Sequence, residues 1–212
     1  MTPETFAAKT GASRETLERL KAFDALLVER AAIHNLVSRS TLPDRWERHF
    51  YDSAQLIDRI PKSAKEILDL GSGAGFPGLV IAAFLVDRDG SVTLVESKEK
   101  KCVFLRDAVA AMGLKNVRIE SARVESGRLE SVCLARPPDL VTARALAPLP
   151  KLFSYVSEIR AENARLLFPK GARADEELTN ARKSWRFQVV RHASVTDPAA
   201  TILEITALAR RK

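Results

Sequence analysis

Ile67-Leu68-Asp69-Leu70-Gly71-Ser72-Gly73-Ala74-Gly75-Phe76-Pro77-Gly78 decides the fold of this chain. An apolar run with one embedded acid stops at a glycine turn, and a second apolar run, Leu79 to Val86, follows as a helix. Strand, tight turn and helix start bring backbone N–H groups and a positive helix end up to a ligand. Glycine is needed there because a Cβ would obstruct both a positive-φ turn and a close approach.

Outward from that turn, strand and helix patterns alternate. Glu66–Leu70 is a short buried strand, Ser91–Glu96 a second ending in an acid, and Val117–Ser121 a third. Ser97 is expected to cap a helix that carries Cys102, Leu105, Val109 and Met112 at helical spacing and stops at Gly113. Pro137-Pro138 introduces a fourth strand over 139–143. A helix is expected over 151–161, a fifth strand over 165–168, and a further helix over 174–184. Two last β runs, 187–190 and 201–208, are joined by a connection too short for a crossover helix, so they form an antiparallel hairpin. Repeated strand–helix units predict an α/β fold: a mostly parallel, twisted sheet, helices on both faces, and right-handed crossovers. Before it, residues 14–32 read as an amphipathic helix capped by Ser13, and Pro43 to Pro61 as a second helix with Trp46, Phe50, Ala54 and Ile57 on one side. The expected division is a helical N-terminal extension, 1–60, laid on a single domain, 61–212.

Bulk properties narrow the classes. The 212 residues are 46% hydrophobic and 29% charged, ordinary for a soluble globular protein. The run Leu79 to Val86 is far short of the roughly 20 residues that span a membrane, and the N-terminus does not read as a secretory signal. Cys102 and Cys133 suggest no disulfide framework, and three histidines without neighbouring cysteines give no metal-ligand spacing. A reduced, cytoplasmic, metal-free protein is expected. The net charge of +7 is uneven: residues 131–212 hold fourteen basic and eight acidic side chains, a surplus that favours a polyanion such as nucleic acid.

Two ligands compete for the turn. Gly73-Ala74-Gly75-Phe76-Pro77-Gly78 satisfies G-x-G-x-x-G, and Glu96 follows at about the distance of a ribose-binding acid, as in dinucleotide sites. However, neither Tyr51 nor Tyr155 has a lysine four residues on, so the Tyr-x-x-x-Lys pair of short-chain dehydrogenases is missing. Read from Asp69, the stretch is instead Asp-x-Gly-x-Gly-x-Gly, the nucleoside loop of Rossmann-like class I methyltransferases. There Glu96 accepts both ribose hydroxyls of S-adenosylmethionine, and Asp69 holds the loop or the cofactor's amino end.

Further pieces occur in one order: Asn35-Leu36, Arg48-His49 with Asp52-Ser53, the Gly-Phe-Pro-Gly extension at 75–78, Ser121-Ala122-Arg123-Val124-Glu125, Ala143-Arg144-Ala145 with Pro148-Leu149, and Lys170-Gly171. In these the chain resembles the small-subunit (16S) ribosomal RNA guanine-N7 methyltransferases, the glucose-inhibited division protein B (GidB) family, across about residues 35–171; it departs from the family pattern at Arg30-Ala31 and Val37. The resemblance implies methyl transfer from S-adenosylmethionine to a guanine N7 of ribosomal RNA or the small subunit, with Gly71, Phe76, Val124, Glu125 and Arg144 touching the cofactor. Gly73 and Glu96 complete that expected set. Guanine N7 carries a lone pair and no proton, so no catalytic base is assigned; Arg48, His49 and Lys170 are expected to hold RNA. Nothing demands more than a monomer. The alternatives are a nicotinamide-dependent oxidoreductase and a non-catalytic RNA-binding assembly factor.

Overall fold

A computed structural model describes residues 1–31, 36–124, 132, 134, 136–157 and 159–211. Asn35, Glu125 and Cys133, singled out above, lie outside the described residues.

Among the described residues, seven strands form one sheet: β1 (Glu66–Leu70), β2 (Ser91–Glu96), β3 (Val117–Ser121), β4 (Leu140–Ala143), β5 (Arg165–Lys170), β6 (Trp185–Ala193) and β7 (Thr201–Arg210). Their order is β3-β2-β1-β4-β5-β7-β6. β1 to β5 are parallel, and β7 pairs antiparallel to both β5 and β6. The closing hairpin is therefore present, but its second strand lies inside: β7 enters between β5 and β6, and β6 forms the edge. β1 and β4 are buried along their whole length, as expected of central strands covered on both faces. Chain order reverses about β1 and β4, which puts a crevice at their carboxyl ends, where open α/β sheets bind ligands.

The N-terminal layer holds α1 (Pro3–Thr10) and α2 (Arg14–Ala31). Ser13 Oγ accepts from Thr16 N at 3.1 Å, the expected cap. Leu20, Phe23 and Leu27 of α2 are fully buried, each worth ~1.5–3 kcal/mol of apolar transfer. They share one hydrophobic cluster with Trp46, Phe50, Phe76 and Leu79. The single helix expected from Pro43 is replaced by a π-helical turn, Trp46–Tyr51, the three-residue α3, Asp52–Ala54, and a 3₁₀ turn, Ile57–Arg59. The reason is tertiary. Trp46 stacks on Phe50 with ring centres 4.3 Å apart and donates to Asp24 at 2.9 Å, while Arg48, His49 and Asp52 face the carboxyl end of β4.

The other helices are α4 (Gly78–Phe84), α5 (Glu99–Ala111), α6 (Leu149–Val156) and α7 (Ala174–Arg182). Gly113, at φ +63°, stops α5 as expected. Ser97 is not the cap of that helix. Lys98 takes the position without a side-chain bond, and its N–H donates to Glu96 Oε1 at 2.8 Å. α6 begins two residues before the expected start and ends at Val156, with Leu149, Leu152, Phe153 and Val156 buried.

Candidate functional site

β1 delivers Leu70 into three glycines with left-handed backbone: Gly71 (φ +68°), Gly73 (+59°) and Gly75 (+92°). The N–H groups of this turn are largely spent inside the protein. Gly71 and Ser72 donate to Val95 O at 2.8 and 3.0 Å, Gly73 to Glu96 Oε2 at 2.9 Å, Gly75 to Ser72 O at 2.7 Å, and Gly78 to Asp69 Oδ2 at 3.2 Å. A pyrophosphate cradle needs such donors pointing outward. This turn instead presents close-packed backbone backed by two carboxylates, an arrangement suited to a neutral or cationic ligand.

Asp69 is fully buried; Oδ2 takes the Gly78 bond, whereas Oδ1 has no hydrogen-bond partner. Burial pushes its carboxyl from 3.8 up to about 6. Gly78 must be glycine, because a Cβ there would sit 2.3 Å from Leu94 Cδ2 and 2.7 Å from Asp69 Oδ2. Glu96 ends β2, nearly buried, and grips the Gly73 and Lys98 N–H groups with one oxygen each. A carboxylate oxygen has a second lone pair, so both can still accept from a ligand's hydroxyls.

Two cavities lie at the carboxyl ends of the strands, the smaller one against the turn. The smaller, about 190 Å³, is lined by Gly71, Gly73, Glu96, Ala122 and Val124, among others, and so collects the ends of β1, β2 and β3. The larger, about 670 Å³, lies past β4 and β5 and is lined by Arg48, His49, Asp52, Arg144, Lys170 and Asp197, among others. Among the described residues, Ala145 and Leu146 alone are common to both linings.

Arg144 leaves the carboxyl end of β4 and ties the larger cavity to the N-terminal layer. Its Nη1 donates to Asp52 Oδ2 at 3.1 Å, and its guanidinium lies 5.4 Å from the Phe76 ring centre. His49 Nδ1, 3.3 Å from Arg144 Nη2, accepts from it; the Nε2 proton is then assigned to the bond with Thr41 Oγ1 at 2.9 Å. Burial, then the Arg144 and Arg48 charges, push His49 down to about 4, so it is neutral at physiological pH. The backbone spacing of a π-helical turn, common at functional sites, carries His49 into this contact.

Two side chains lie deeper than the sequence suggests. Phe76 is 4% exposed and outside both linings; its ring packs on Phe23, Phe50 and His49 with centres 5.0, 5.1 and 5.2 Å away. Lys170 is 10% exposed at its side chain, pairs with Glu177 at 2.8 Å and donates to Ala147 O at 2.8 Å, bracing the loop after β4. Leu146 was not singled out by the sequence, where it is one more leucine in Ala-Leu-Ala; only its seat against Gly71 marks it. Among the described residues, no three metal-ligating side chains come together, and no helix is long and apolar enough to cross a membrane.

The family model GidB, described as rRNA small subunit methyltransferase G, matches residues 16–205. Similar relatives include the ribosomal RNA small subunit methyltransferase G of Parvibaculum lavamentivorans, 44% identical over 97% of this chain and 89% of that one. That of Paramagnetospirillum magneticum is 43% identical over 99% and 98%. Among solved structures, an O-methyltransferase from Bacillus cereus in complex with SAH aligns with TM-score 0.61 at 13% identity, covering 88% of this chain and 90% of that one. A SAM-dependent methyltransferase from Aquifex aeolicus aligns with TM-score 0.56 at 18% identity, covering 77% and 92%. The two structural likenesses are of fold alone.

Proposed function

The chain belongs to the GidB family of rRNA small subunit methyltransferases G, and from that premise we propose that it methylates N7 of a guanine in 16S ribosomal RNA, using S-adenosylmethionine. The observation that carries this reading is the pair of adjoining cavities, one floored by glycines and a carboxylate, the other lined by Arg48, Arg144, Lys170 and Arg173 against Asp52, Glu177 and Asp197.

The smaller cavity fits the nucleoside part of the cofactor. Gly71, Gly73, Glu96 and Val124 line it, and Asp69, buried behind the turn and outside that lining, adds a negative charge that favours a cationic ligand. When bound, S-adenosylmethionine supplies an electrophilic methyl: its S–C bond pair returns to sulfur as the guanine N7 lone pair forms the new C–N bond, and no proton changes hands. The residues therefore need to orient, not to deprotonate, and alignment alone can lower a barrier by ~7–11 kcal/mol. Arg48, paired with Asp197 at 3.6 Å, and Arg144, paired with Asp52 at 3.1 Å, can exchange those carboxylates for an RNA phosphate or the acceptor face of a base, with His49 neutral beside them. Phe76 supports the turn from behind, and Lys170 acts through the Ala147 carbonyl.

Residues 1–60 form the extension that supplies Arg48, His49 and Asp52, and residues 61–212 form the methyltransferase domain. A ribosomal RNA substrate implies a cytoplasmic location. The test is mapping of N7-methylguanosine in 16S RNA from cells with and without the gene, together with labelled methyl transfer to purified small subunits. Loss of one N7-methylguanosine, restored by the protein, is expected. RNA binding without transfer would replace this reading with an assembly factor.

A further inference from the structure

We propose that Leu146 is a positioning residue for the transfer, the apolar partition at the crossing between the cofactor cavity and the RNA cavity; the proposal rests on the methyltransferase reading above. With Ala145 it is, among the described residues, the wall common to both linings, so a group handed from one cavity to the other passes beside it. Its side chain is seated on the glycine turn: a Cβ on Gly71 would lie 2.7 Å from Leu146 Cδ1. Glycine at position 71 thus permits the left-handed turn and also makes room for this leucine.

The loop that carries Leu146 is fastened at both ends. Upstream, Arg144 is held by Asp52, His49 and the Arg48 carbonyl. Downstream, Lys170 holds the Ala147 carbonyl and Glu177 accepts from Leu149 N at 2.9 Å. Between them Ala145 adopts φ +56°, unusual for a residue with a Cβ. Backbone of that kind persists only where its surroundings over-determine it, and such outliers cluster at functional sites. Here the turn aims Leu146 at Gly71. A branched apolar side chain at the crossing excludes water and limits the directions in which a donor and an acceptor can meet. A misplacement of about 1 Å can cost ~100-fold in rate.

Three variants test this. Leu146→Ala is expected to lower kcat on small subunits ~10- to 100-fold, with the S-adenosylmethionine Kd by calorimetry and the RNA KM each within about threefold of wild type. Leu146→Met, of similar volume, is expected to recover most of the rate. In a Cys133→Ser background, Leu146→Cys reports occupancy without turnover: S-adenosylhomocysteine alone and an RNA fragment alone should each slow its maleimide alkylation several-fold. An unchanged kcat for Leu146→Ala, a loss carried entirely by cofactor Kd, failure of Leu146→Met to recover the rate, or protection by only one ligand overturns the proposal. A wild-type protein that transfers no methyl to ribosomal RNA overturns the underlying reading as well, whereas an active wild type with an equally active Leu146→Ala overturns this inference alone.

Discussion

Asp69→Asn removes one buried charge and little else. Asparagine keeps an acceptor for Gly78 N–H and places an amide where the unpartnered Oδ1 now sits. Burial raises the wild-type carboxyl from 3.8 to about 6. A group whose folded pKa lies above its unfolded one gives stability that is fully present below about pH 3.8 and is lost as pH rises through about 6. At ~1.4 kcal/mol per tenfold in acidity, the cost to the native state at neutral pH approaches ~3 kcal/mol. Asparagine never ionises. In urea unfolding without cofactor, the stability of Asp69→Asn relative to wild type should therefore rise by ~2 kcal/mol between pH 4.5 and 7.5. The difference between the two proteins cancels the opposing effect of His49, whose lowered pKa weakens the fold as pH falls from about 6.5 toward 4. Cofactor affinity should move the other way. A unit charge several ångströms from a cation, at an effective dielectric of about 20, is worth ~1–3 kcal/mol, so the Kd for S-adenosylmethionine should rise ~5-fold or more at pH 7.5. A stability difference that is flat with pH would refute the account of Asp69 as a strained, ionised carboxylate. An unchanged Kd would refute its service to the ligand.

Gly78→Ala should destabilise by ~1–3 kcal/mol through overpacking against Leu94 and Asp69, read as a lower urea midpoint at unchanged slope. The C2 proton of His49 should titrate in NMR with a midpoint near 4, not 6.5; a midpoint at 6.5 would mean that Arg144 and burial do not act on it. Lys170→Met should lower kcat while leaving the salt dependence of RNA binding nearly unchanged, because its ammonium is committed to Glu177 and Ala147. A slope reduced by about one would instead mark it as a phosphate contact.

The sheet was the most legible part of the sequence. Glu66–Leu70, Ser91–Glu96 and Val117–Ser121 could be delimited to the residue, because short β runs bounded by turn residues leave the backbone few alternatives. The N-terminal layer was less so. A π-helical turn at 46–51 has no periodic signature, and what bends the chain there is contact between side chains far apart in sequence: Trp46 with Asp24, and Arg144 with His49 and Asp52. The place of Glu96 at the end of β2 marks it as a candidate ligand acid, but its grip on Gly73 could not be read, since that depends on how β1 and β2 register. Phe76 and Lys170 show the general difficulty. Residue type and neighbourhood marked both as site residues; the structure packs the Phe76 ring behind the turn and has Lys170 brace a loop while lining the larger cavity.

The contact of Phe76 with Phe23 and Phe50 joins the glycine turn to helices that precede it by tens of residues. Injury to activity can therefore enter from the rear. In a genetic screen for lost methylation, substitutions at Phe23 and Phe50 should score beside those at Gly73. Neither ring lines either cavity, so a map of inactivating alleles would trace this aromatic seam as clearly as the site itself.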